Sequence, residues 1–169
     1  MKYRKNLFSI TIRHESISVT DFGSLIGKIS MRFPFGAFPD VEWDDFLVII
    51  SHWISTLNEI EKGNDDVLYL GFMEGPYQVT ITQRQKDMYL LRPEKRLDRS
   101  LQWPEVKITK RLLLDVIKRS ANDVINYCKK AKIYSKDLED IKTSISSRNR
   151  GEAVREAVRE ARRGKPGAG

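Results

Sequence analysis

Residues 33–63, FPFGAFPDVEWDDFLVIISHWISTLNEIEKG, decide how the chain folds. The stretch holds two of the three tryptophans, one of the two histidines and the most strongly periodic apolar run. Pro39 cannot continue a helix backwards and Asp40 can cap one, so a long helix is expected to open near Asp40–Glu42. Glu42, Asp44 and Asp45 would then complement the positive end of its dipole. Trp43, Phe46, Leu47, Ile50, Trp53, Ile54, Leu57 and Ile60 follow at three-and-four spacing. Val48 and Ile49 widen that stripe past half the circumference, which marks a deeply buried helix. Gly63 is the expected C-cap.

Before this helix, residues 6–13 alternate Phe8, Ile10 and Ile12 with Ser9, Thr11 and Arg13, the pattern of a half-buried strand. A short connection at His14–Ser16 leads to a second strand at 17–20. Residues 25–32 form a third, with Leu25, Gly27, Ile29 and Met31 on one face. After the helix, 67–73 (VLYLGFM) is apolar on both faces, as in a central strand covered on both sides. Residues 77–82 and 88–91 complete an antiparallel meander, and 94–100 reads as a charged loop. Thr109 is the expected N-cap of a helix whose stripe is Leu112, Leu113, Val116, Ile117, Ala121, Val124, Ile125 and Cys128. Ser135 opens a shorter one carrying Leu138, Ile141 and Ile145. The fold class expected is α+β: an antiparallel sheet of about five or six strands, a long central helix packed on it, and C-terminal helices.

At 169 residues the chain forms one domain, expected over residues 1–146, with a core large enough to need no staples. The single cysteine, Cys128, excludes an internal disulfide and a cysteine metal cluster. No cofactor is expected. No apolar run reaches membrane-spanning length, and no hydrophobic leader follows Met1, so the expected compartment is the cytoplasm, with no membrane partner. The net charge is +7, but residues 148–169 hold seven Lys/Arg and three Glu, a net +4. This region (residues 147–169) carries the repeat EAVR-EAVR-EARR and is expected to be a basic helical tail, resembling an appended or vector-encoded segment.

His14 and His52 are the candidate bases for an enzyme, each beside a carboxylate. General acid–base chemistry needs a second group and a cleft, and the sequence supplies neither. A nucleic-acid-binding module would use Arg148–Arg163 and the lysines of 129–132, but the mixed charge of the body disfavours such a partner. An N-terminal strand pair precedes Phe38-Pro39, Trp43, Asp45 and Phe46, and a further Trp follows. Met73-Glu74-Gly75-Pro76-Tyr77 ends the apolar strand, and Tyr127-Cys128 closes a helix. On these features residues 6–146 resemble the small immunity proteins encoded beside bacterial polymorphic toxins, including contact-dependent growth inhibition systems. The resemblance implies no catalysis, and one toxin domain bound tightly and 1:1. An acidic patch would suit such a partner, because charge complementarity speeds association. Asp44, Asp45, Glu59, Asp65, Asp66 and Glu74 are the expected binding residues.

Overall fold

Residues 36–46, expected to open the central helix, form a strand instead. A computed structural model describes residues 8–62, 67–73 and 75–163. Within it β1 (Ser9–Val19), β2 (Leu25–Phe33) and β3 (Gly36–Phe46) make a three-stranded antiparallel sheet in that order. Trp43 pairs with Ile29 and Phe38 with Met31, so four residues of β3 face Ser30 alone. Pro39 sits in this bulge of an edge strand, the one place in a sheet where a missing N–H costs little. Asp44 is exposed on this edge strand, where a charge discourages pairing with other chains. The same apolar spacing suits a strand here because Asp45 and Leu47 both turn inward.

The helix, α1 (Ile49–Lys62), opens later, with no acidic residue in its first turn. The Ile50 and Ser51 amides donate to the Leu47 and Val48 carbonyls (3.1 and 2.9 Å). Ile49, Ile50, Trp53, Ile54 and Leu57 are buried, as the periodicity requires, and His52 and Ser55 are exposed. The C-cap at Gly63 lies outside the described residues.

The N-terminal strands meet their expected faces: Leu25, Ile29, Met31 and Phe33 are buried. The expected connection at His14–Ser16 is a bulge inside one strand, marked by the register shift between Arg13 and Ser18. Ser16 holds it, its Oγ donating to the Arg13 carbonyl (2.6 Å) and accepting from the Lys28 amide (2.7 Å).

A second, five-stranded antiparallel sheet contains β4 (Val67–Gly71), β5 (Tyr77–Gln85), β6 (Met88–Lys95), β7 (Asp98–Gln102) and β8 (Val106–Thr109). β7 and β8 share one side of β6, and β4 is the opposite edge. The α+β class therefore holds, with the strands divided between two sheets. The apolar strand at 67–73 is an edge and not a doubly covered centre. The expected loop at 94–100 is the β6–β7 turn with its flanking strand residues.

Helix α2 (Lys110–Ala131) starts at the expected cap, Thr109 Oγ1 accepting from the Leu112 amide (3.2 Å). Leu113, Val116, Ile117, Ala121, Val124 and Cys128 are its buried stripe. Helix α3 (Lys136–Arg163) follows Ser135, whose Oγ accepts from the Leu138 amide (3.1 Å). It buries Leu138, Ile141 and Ile145 and then runs on, helical as expected, through residues such as Arg150 and Val154 that are exposed. Its first turn is pinned to the far end of the chain, Asp137 Oδ2 accepting from the Leu25 amide (2.8 Å). All three helices share one continuous core with the inner faces of both sheets. Phe38 joins the sheets: its ring meets Phe72, Tyr77 and Trp103 edge-on at 6.1, 5.6 and 5.0 Å.

Candidate interaction surface

On the inner face of the five-stranded sheet Leu70, Val79, Ile81, Leu91 and Ile108 are buried in the shared core, which α1 meets at β4 and α2 at β8. Alternation then fixes what the outer face presents. Tyr69, Thr80 and Arg92 lie in one row across β4, β5 and β6, and Gln78 and Glu94 in the next. Together with Trp103 and Glu105, these side chains line an open groove of about 710 Å³. Its floor is organised by one carboxylate. Glu94 Oε1 accepts from Gln78 Nε2 (2.6 Å) and from Thr80 Oγ1 (2.5 Å). Its Oε2 lies 3.5 Å from Arg92 Nε, and Arg92 Nη1 lies 3.9 Å from Glu105 Oε1. Arg92 is thus held between two carboxylates while half of its side chain faces solvent. Tyr69, 53% exposed, and the indole of Trp103 are the groove's aromatic groups. A guanidinium paired to two carboxylates, in a groove that Tyr69 and Trp103 also line, is a surface that can anchor a protein partner.

Of the expected binding residues that are described, Asp44, Asp45 and Glu59, none lines this groove. Asp45 is corrected outright: it is 1% exposed and cannot meet a partner. Its Oδ1 accepts from the Phe46 amide (2.7 Å) and its Oδ2 from the Met73 amide (3.0 Å), so it fastens the end of β3 to the turn after β4. Replacing Asp45 with Ala strips the Phe46 and Met73 amides of their acceptor and is expected to cost about 1–3 kcal/mol, read as a lowered denaturation midpoint. A variant as stable as the parent would remove this fastening role. Asp44 is exposed on β3, opposite Lys28 in register, and Glu59 is half-buried on α1. Asp65, Asp66 and Glu74 lie outside the described residues, on the flanks of β4.

Neither histidine lines the groove. His14 stacks on Tyr127 (4.8 Å between centroids) with Nε2 3.8 Å from Asp123, linking β1 to α2. It shares the inward parity of Ile10 and Ile12, which corrects its placement in a loop. His52 is exposed on α1. Cys128 is packed in the core, and burial pushes its thiol above the ordinary range against the opposing pull of the Lys142 ammonium. Among the described residues no group of three metal-ligating side chains gathers, and no helix is long and apolar enough to cross a membrane.

Arg92, Glu94, Trp103 and Glu105 were not expected because they fall between the strand expected to end at 91 and the helix expected from Thr109, a span that includes the aperiodic 94–100. The signal was the alternation of inward Leu91 and Pro93 with outward Arg92 and Glu94. In comparisons with known protein families, curated proteins and solved structures, the chain matches none.

Proposed function

We propose that the chain is a non-enzymatic immunity-type protein that binds one bacterial toxin domain and blocks it, using the outer face of its five-stranded sheet. The observation that carries this reading is the groove itself: a sheet face that no described element covers, where Arg92 lies between Glu94 and Glu105 and Tyr69 and Trp103 line the same groove. Tyr, Trp and Arg are the residues that most often dominate binding energy, and a side chain already held in place loses little freedom on binding. The resemblance over residues 6–146 supports the class of partner. The cytoplasm, where a toxin acting inside the cell would be met, is the compartment this reading assigns.

The test is co-purification with the product of the adjacent reading frame, followed by affinity measurement. Arg92→Glu places a third carboxylate beside Glu94 and Glu105 and is expected to weaken the complex about 30-fold, close to 2 kcal/mol. Because Arg92 is half-exposed, the melting temperature should hardly move. A neighbour that does not bind, or a complex indifferent to Arg92→Glu, would overturn the assignment of this face.

A second reading rests on α3, which leaves the core after Ile145 and presents a basic stretch on a continuous helix. Nucleic-acid binding through it would weaken steeply with salt. No retention of DNA or RNA at low salt removes that reading.

A further inference from the structure

The open edge of the five-stranded sheet is β4, and its ladder shows which main-chain groups face away from the sheet. One step past the strand, the Phe72 amide donates to the Tyr77 carbonyl (3.0 Å). Bonded and non-bonded pairs alternate along an antiparallel ladder. Counting back through the register, Leu70 and Leu68 bond to β5, opposite Val79 and Ile81. Val67, Tyr69 and Gly71 therefore turn their N–H and C=O groups outward. Gly71 bears this out, since its carbonyl accepts from Trp53 Nε1 (2.9 Å), on α1 and outside the sheet. Trp53 thus takes the Gly71 end of the edge, and among the described residues no hydrogen bond from outside the sheet reaches the main chain of Val67 or Tyr69. Their side chains stand on the outer face, 41% and 53% exposed.

We propose that two copies of the chain pair antiparallel through β4, with Val67 of one copy opposite Tyr69 of the other. The seam is self-complementary, as a two-fold contact must be. In this register each Val67–Tyr69 pair exchanges both N–H···O bonds, and Leu68 meets its own copy on the dyad. On the outer face each valine packs against a tyrosine, the aromatic with β-branched pairing that sheets favour. Sliding the strands so that Tyr69 faces Tyr69 would call on the Gly71 carbonyl, which Trp53 already holds. Two apolar side chains, exposed on an edge that carries no charge of its own among its described residues, lose their water in the same step. Because the seam is short, the dimer is weak and concentration-dependent. Pairing joins the two outer faces into one broad sheet surface and does not depend on the identity of any other partner.

The test needs only the purified full chain. Its mass by sedimentation or light scattering, followed over about a hundredfold range of concentration, is expected to climb from monomer to dimer and stop there. The paired substitutions Val67→Lys and Tyr69→Lys set like charges across the seam and should raise the dissociation constant about a hundredfold. A monomer at every concentration, growth beyond the dimer, or a dimer untouched by the lysines would overturn the proposal. Should the lysine variant fail to fold, cross-linking decides. A mixture of Val67→Cys and Tyr69→Cys copies should oxidise to the mixed dimer ahead of either self-pair, since bonded pairs lie about 5.5 Å apart at Cα, within disulfide reach. Failure to form the mixed species would equally refute the register.

Discussion

Trp53→Ala is expected to cost about 3–5 kcal/mol of stability, the range for deleting a buried aromatic side chain. The indole is 1% exposed and meets the Phe72 ring at 5.6 Å, so its removal opens a cavity where α1 touches the five-stranded sheet. It also strips the Gly71 carbonyl of its donor at the end of β4. Urea denaturation reads the whole loss. Trp53→Phe separates the parts: most of the volume stays, the Nε1 bond goes, and a loss of about 1–2 kcal/mol is expected. If Trp53→Ala cost less than ~1 kcal/mol, α1 would not be the centre of the core.

Phe38→Ala should fall in the same range, about 3–5 kcal/mol, with a different consequence. Phe38 is fully buried on β3, and its three aromatic neighbours belong to the other sheet or its connections. Edge-on aromatic pairs add about 0.5–1.5 kcal/mol each beyond burial. The variant should therefore loosen the two sheets from one another as well as lower the midpoint. Unfolding followed by tryptophan fluorescence and by far-ultraviolet circular dichroism would test this. The two curves are expected to separate, because the sheets, no longer joined by the Phe38 ring, can part around Trp103 before the strands melt. Coincident curves with a small loss would show that the sheets are held together elsewhere.

Much of the fold could be read from periodicity. The α2 stripe from Leu113 to Cys128, its cap at Thr109 and the face of β2 all come from spacing alone, because one residue's neighbours in sequence decide them. Residues 36–46 could not be read that way. Trp43, Phe46 and Leu47 satisfy a helical spacing, and Pro39 before a run of acids imitates a helix start. Pairing with β2, a partner distant in sequence, overrode that spacing, and local pattern carries no record of it. The same limit misplaced the functional residues. Asp45 looked like a surface acid beside Asp44, yet the Met73 amide, reached only through the tertiary fold, drew it inward. Arg92 carried no signal of its own in the sequence; its place comes from pairing with Thr80 on β5 and from the neighbouring Glu94 carboxylate.

The bond from the Leu25 amide to Asp137 spans 112 positions of chain. It sets an order on how the molecule assembles. The β1–β2 hairpin and the β5–β6 hairpin close over short loops and can form early, at little entropic expense. The inner face of the first sheet, however, waits for Leu138, Ile141 and Ile145, near the end of the core sequence. On a ribosome that face stays uncovered until nearly the whole domain has emerged. The final step is thus a long-range closure, the kind that slows folding and leaves apolar surface open to misassembly. The C-terminal helix is the latch of the closed fold, and Asp137 ties its first turn to the start of β2.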